Sequence, residues 1–319
     1  MQSINFGQAM SFNECVDLIA LCPQIRVHVE GEPGIGKSSM LPSIARKANI
    51  DQYLYIDATQ YSTGDGAMPA VNHDTRTSSF YINERFGFHT GKPVVIMVDE
   101  LSKAMQSVQN ELHTLLEEKP RFYGIDLPEG SIVMSAGNLG AEGVGDVFPA
   151  HACNRVVIAE LRNPTAMEWV EQYAVPHGLH SSIMATAIHF PMMFDSFRDV
   201  EDPKMNPYIM HPKAKRRSFV TARSMARASS VMYATEKLPS HVRMHALCGT
   251  VGEAAAAEIM TIDRLESQIP VWDRIVADPT GAPIPDSAVA QCIVVLRAVK
   301  MVTHQTMDAW VVYMMRLGK

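Results

Sequence analysis

Hydrophobic and polar positions divide the 319-residue chain into two regions of different rhythm. Up to about residue 163, short apolar runs of strand length alternate with runs of helical period. Ser11 precedes a helical run, Phe12 to Leu21, with Glu14 placed to complete a capping box, and Pro23 ends it. Ile25 to Val29 alternates apolar and polar residues, the pattern of a strand with one buried face. Arg26 and His28 are a misfit if that strand is central, explicable if their stems pack beneath a helix. Ser38 to Ala48 is helix-compatible, and Tyr53 to Asp57 reads as a second strand. The polar stretch 58–91 is too long for a simple connection and predicts short strands with mobile functional loops. Val94 to Val98 is five consecutive apolar residues, a strand buried on both faces. Ser102 to Glu118 predicts one amphipathic helix, with Met105, Val108, Leu112, Leu115 and Leu116 on its apolar face. Arg121 to Pro128 predicts a hairpin turning at Gly124, Ser131 to Asn138 another buried strand, and Val156 to Ile158 a fifth. Between the last two, 140–145 reads as a flexible acidic loop and Phe148 to Asn154 as a short helix.

Beyond residue 163 the period is helical. Asn163-Pro164 is placed to cap a run through Tyr173, and further runs cover Leu179 to Phe190, Thr221 to Thr235, Glu253 to Asp263 and Asp286 to Thr303. A linker rich in Pro and charge spans Asp199 to Arg217. The expected architecture is α/β: a five-stranded parallel sheet with right-handed crossovers over 1–163, then an α-helical region over 164–319.

Composition narrows the class. An apolar content of 47% and a charged content of 19% describe an ordinary globular protein able to bury a sizeable core. A net charge of -6 argues against a whole-surface grip on nucleic acid, though not against a local basic patch such as Lys213 to Arg217. No apolar run approaches a membrane span, the start lacks a signal-peptide layout, and five scattered cysteines without a C-x-x-C pair suggest reduced thiols, so a cytoplasmic location is expected. The twelve histidines include no metal-binding spacing, and the 21 methionines read as adaptable core filler.

The candidate chemistry lies in the first region. Gly31-Glu32-Pro33-Gly34-Ile35-Gly36-Lys37-Ser38 has the spacing G-x-x-x-x-G-K-S between a strand and a helix. Glycines let such a loop curl so that successive N–H groups face a polyphosphate, and the helix that follows aims its positive end at the same charge. The expected binding segment is Glu32, Pro33, Gly34, Ile35, Gly36, Lys37, Ser38 and Ser39, with Lys37 on the β- and γ-phosphates and the Ser38 hydroxyl on Mg²⁺. The strand Val94 to Val98 ends in Asp99-Glu100. Beside a phosphate loop these acids suit a Mg²⁺ shell (Asp99) and a general base for the attacking water (Glu100); the bland alternative is that they merely open the next helix. Asn138 ends a strand where it could bond the attacking water or the γ-phosphate, or it could be a simple loop amide.

With these motifs in this order, the chain resembles the AAA+ ATPases, and within them the MoxR-type, dynein-related branch. Gly31 to Ser38 resembles Walker A, Val94 to Glu100 Walker B, Ala136-Gly137-Asn138 the sensor 1 strand end, and Tyr123 to Pro128 the hairpin insert of that branch. Asn154-Arg155-Val156 resembles the element whose arginine acts as a finger in the neighbouring subunit, with Asn154 in place of the usual acid and Val156 in place of the aromatic. Ser218 to Ser224 resembles the lid-helix pattern that carries the sensor 2 arginine, here Arg223, with Ala222 in place of its Pro. The resemblance implies ATP and Mg²⁺ as ligands, an AAA+ core over 1–163 with a lid over 164–319, and a homo-oligomeric ring, most often a hexamer. It further implies a chaperone-like remodeller of a protein client or a von Willebrand A-domain partner. The competing expectation is a nucleic-acid motor or loader, which the few basic residues of 58–91 and 121–128 weaken and Lys213 to Arg217 keeps alive. A third, a nucleotide switch without turnover, conflicts with an intact Glu100.

Overall fold

A computed structural model describes residues 9–139, 154–266 and 269–317. The loop expected over 140–145 and most of the helix expected over 148–154 lie outside these residues. The chain divides into two compact units, Met1–Asn163 and Pro164–Lys319.

The first unit is built on five parallel strands: β1 (Val27–Gly31), β2 (Gln52–Asp57), β5 (Val94–Asp99), β8 (Ile132–Asn138) and β9 (Val157–Leu161). Their order across the sheet is β2-β5-β8-β1-β9, so the loop-bearing β1 lies between the asparagine-ended β8 and β9. Strands buried on both faces alternate between two cores. Val95 and Met97 of β5, with Val27 and Val29 of β1, join Ile19 of α1 (Phe12–Leu21) and Met40 and Ile44 of α2 (Met40–Lys47). Val94, Ile96 and Val98 face the opposite side, with Leu101, Leu112, Leu115 and Phe122. The expected capping box opens α1: Ser11 accepts from the Glu14 N–H and Glu14 accepts from the Ser11 N–H.

The misfit in β1 resolves differently from its sequence reading. Arg26 and His28 are both buried. Arg26 donates to the Pro23 carbonyl at 2.7 Å, and the His28 Nδ1 lies 2.8 Å from the Ser135 Oγ on the neighbouring strand. Both faces of β1 are therefore covered, one by Val27 and Val29 and the other by the hydrogen-bonded His28–Ser135 pair.

Two small antiparallel hairpins leave the sheet. β3 (Ala67–Asn72) pairs with β4 (Thr77–Ile82), and β6 (Arg121–Phe122) with β7 (Ile125–Asp126). The second turns at Tyr123 and Gly124, both at positive φ (51° and 77°), the backbone of a tight hairpin turn. An aromatic chain connects the hairpins: Phe80 to Tyr123 (5.0 Å between centroids), Tyr123 to Phe122 (5.0 Å) and Phe122 to Phe86 (4.6 Å).

The single helix expected over 102–118 is instead three pieces: a 3-10 turn (Leu101–Lys103), α3 (Gln106–Leu112) and a second 3-10 turn (His113–Leu116). Ala104 is extended, so the helix cannot start before Gln106, and Met105 is 78% exposed rather than on the apolar face. Val108, Leu112, Leu115 and Leu116 are buried as the pattern requires.

The second unit is helical. Its first helix (Ala166–Trp169) is capped by Thr165 with Glu168, not by Asn163, and runs on as a π turn to Ala174. The others are Ser181–His189, Ala222–Ala234, Ser240–Val251, Glu253–Glu266, Trp272–Ala277, Ala288–Met301 and Met307–Met314. Ser240–Val251, Trp272–Ala277 and Met307–Met314 are additional to the helices read from the sequence. Among the described residues no helix is long and apolar enough to cross a membrane.

Candidate nucleotide site

The C-terminal ends of β1, β5 and β8 converge. Gly31 ends β1 opposite Asn138, and Asp99 ends β5 opposite Ala136. After Gly31 the chain turns through Glu32 to Gly36, with Gly34 and Gly36 at φ 80° and 109°, a region that side chains resist. Lys37–Ser39 form a 3-10 turn that leads directly into α2. The helix expected from Ser38 is thus a tight turn followed by a regular helix from Met40. Ile35 is buried, anchoring the loop, while Pro33, Gly34 and Ser38 are half-buried and Ser39 is exposed. The Glu32 carboxylate accepts from Asn163 Nδ2 at 3.1 Å, tying the loop to the chain just past β9.

Lys37 is buried, and its Nζ donates to the Gly31 carbonyl (2.8 Å), the Glu32 carbonyl (2.9 Å) and Asn138 Oδ1 (3.0 Å). Asn138 in turn donates Nδ2 to Glu100 Oε1 at 3.2 Å, and Lys103 Nζ donates to that same oxygen at 3.0 Å. Lys37, Asn138, Glu100 and Lys103 thus form one continuous polar chain from the loop to the end of β5. Glu100 occupies a left-handed conformation (φ 54°), uncommon for a non-glycine residue, and its N–H donates to Ala136 O and Asp99 Oδ1.

Asp99 accepts from the Tyr55 hydroxyl at 2.8 Å. Burial pushes its carboxyl above the usual range, opposed by the Tyr55 hydrogen bond and by the Lys37 charge. The half-buried Asp99 carboxylate at the end of β5 and the Ser38 hydroxyl after the loop are the kind of oxygen donors that a hard divalent cation takes, so both fit Mg²⁺. Beneath the site, burial and the Lys37 charge push the His28 imidazole down to about 4. Glu30, whose Oε1 lies 3.7 Å from His28 Nε2, is itself pushed up by burial and by Glu160. With the imidazole held neutral, this contact is no ion pair.

Glu32 to Ser39, Asp99, Glu100 and Asn138 are therefore brought together at one sheet edge. Arg155 is not part of that cluster; it is half-exposed and paired with Glu117 at 3.2 Å. Arg223 belongs to the second unit, exposed in the first turn of the helix that Thr221 and Ser224 cap reciprocally. Sequence reading missed Tyr55 and Lys103. Tyr55 follows from register only once β2 is paired with β5, which sets Asp57 opposite Asp99. Lys103 carried a local signal, a cation three residues after Glu100, which the expectation of one continuous helix concealed.

A β2-β5-β8-β1-β9 sheet with a phosphate loop after its fourth-placed strand is the AAA+ form of the P-loop α/β core, followed here by a helical region. The chain has the AAA+ type of P-loop fold. A family model described as the MCM P-loop domain matches residues 9–122, less than half the chain. No curated protein matches. Two mutants of RuvB from Thermotoga maritima align at 14% identity with TM-scores of 0.40 and 0.39, over 96% of this chain and 87% of theirs. At that level of likeness the fold assignment rests on the strand order and the loop themselves.

Proposed function

We propose that this protein is a Mg²⁺-dependent ATPase that works as a ring, most often a hexamer in such proteins, and remodels or assembles a protein partner, in the manner of the MoxR-type branch it resembles. The observation that carries the reading is the polar chain Lys37–Asn138–Glu100, which connects the phosphate loop to the carboxylate that follows Asp99 at the end of β5. Mg²⁺ held by Ser38 and Asp99 would neutralise phosphate charge. Lys37 exchanges its bond to Asn138 for the β- and γ-phosphates, because an ammonium has only three donors and here all three have acceptors. Glu100 takes a proton from the attacking water, and Asn138 orients that water against the γ-phosphate. Arg155 leaves Glu117 to act as the finger in a neighbouring subunit, and Arg223 serves as the lid arginine; both spread positive charge over the transferring phosphoryl group.

A protein client is supported by the first hairpin, which exposes Met68, Val71, Phe80 and Tyr81 and carries a single Lys or Arg, Arg76 in its turn. The competing nucleic-acid reading has its own observation. Arg216 is turned inward onto the Asn206 carbonyl and those of Pro203 and Ile209, which leaves Lys213, Lys215 and Arg217 exposed on an ordered loop. ATP turnover with and without DNA or RNA separates the two readings, since phosphate contacts make binding strongly salt-dependent.

The decisive test of the site is a pair of variants. Lys37→Ala should lose ATP binding, and Glu100→Gln should keep it while turnover falls by about two to four orders of magnitude. Near-normal turnover in Glu100→Gln removes that residue from its role. A pulldown with Glu100→Gln held in its ATP state should recover the client.

A further inference from the structure

Glu100 stands at the head of a tight turn whose geometry is built rather than incidental. Leu101 is fully buried and anchors it. The Lys103 N–H donates to the Glu100 carbonyl at 3.0 Å, closing the turn. Gln109, a buried amide of α3, donates Nε2 to the Ser102 carbonyl (3.2 Å) and the Ala104 carbonyl (2.9 Å), clamping the turn from behind. The turn closes back on its own N-cap and brings the Lys103 side chain to the Glu100 carboxylate. The ammonium reaches Oε1 at 3.0 Å, with about a third of each side chain exposed.

We infer that Lys103 is a positioning residue for Glu100. It holds Oε1 together with Asn138 and so presents Oε2, which takes part in neither contact, to the attacking water. This rests on the reading of Glu100 as the general base and adds a residue to it. A carboxylate with one oxygen fixed by two donors from different elements cannot rotate freely about its terminal bond, and orientation of that kind controls proton transfer. Asn138 donates from β8 and Lys103 from the turn after β5, so removal of either leaves the carboxylate held from one side. Lys103 stands at the end of the polar chain farthest from Lys37, so its loss should be felt in turnover and not in ATP affinity.

The test is Lys103→Met and Lys103→Arg in the full-length protein, with kcat, ATP affinity and melting temperature measured on each. Lys103→Met should lower kcat by roughly ten- to a hundredfold, the scale for a group that orients a catalytic one, with ATP affinity and melting temperature unchanged. Lys103→Arg, which keeps the cation, should recover most of that loss. In a Glu100→Gln background, single-turnover measurement should find no further loss from Lys103→Met, because both act through one carboxylate. An unchanged or raised kcat in Lys103→Met overturns the inference, as does a parallel loss of ATP affinity or a multiplicative loss in the double variant. If Glu100→Gln itself turns over normally, the general-base reading falls, and the role of Lys103 falls with it. An inactive Glu100→Gln beside a fully active Lys103→Met rejects Lys103 alone.

Discussion

His28 shows how a single residue can carry both a folding constraint and a position in the site. It sits between the Ser135 hydroxyl and Glu30, under Lys37, and is held neutral with its pKa lowered to about 4. A histidine whose folded pKa is depressed contributes stability that is complete above its unfolded pKa of ~6.5 and is lost as pH falls toward 4. The native state must keep an uncharged ring while the unfolded chain takes up a proton. That loss is on the order of 3 kcal/mol over the window. Urea unfolding at several pH values should therefore find that His28→Gln flattens the stability profile between about pH 6.5 and 4 relative to the unmodified chain. An unchanged profile would show that His28 is not the titrating group. At this scale Lys37, Asp99 and Glu100 are legible because their chemistry sits in short local motifs. Tyr55 is not, because its contact with Asp99 depends on pairing across 44 positions of chain.

Elements set the next scale. The two hairpins meet at Phe80 and Tyr123, and Phe122, fully buried among Phe86, Phe88 and Tyr123, ties the second hairpin to the core. Phe122→Ala removes the ring at the centre of that chain and should destabilise the first unit by about 3–5 kcal/mol, measured by chemical unfolding. A cost below about 1 kcal/mol would mean that the second hairpin is held without that ring. The hairpin at Tyr123-Gly124 was readable because glycine marks a turn that needs positive φ. The break in the helix after Glu100 was not readable: 102–118 keeps a helical apolar period throughout. Tertiary demands, with Leu101 buried and Gln109 bonded to the turn carbonyls, override the local preference of the segment.

For the whole molecule, the proposed ring makes activity a property of assembly. Turnover per subunit should rise with protein concentration and level off as rings fill. Arg155→Ala should bind ATP normally yet hydrolyse it poorly at every concentration, and mixing it with Lys37→Ala subunits should restore part of the activity. Specific activity that stays constant on dilution, with Arg155→Ala fully active, would place the whole site within one subunit. Nucleotide should also stabilise the protein by mass action, about 2.7 kcal/mol at a hundredfold excess over Kd, and Lys37→Ala should lose that shift in melting temperature.

The chain by itself determined the α/β character of residues 1–163, the loop Gly31 to Ser38, the acid-ended strand and Asn138, because apolar period and glycine spacing are local properties. Only the tertiary structure decided that β1 lies beside β8, that Lys37 and Glu100 share Asn138, and that Tyr55 and Lys103 join them. The physical reason is that strand order and register are set by how two cores close over both faces of the sheet. That closure depends on residues dozens to more than a hundred positions apart, which no local pattern records.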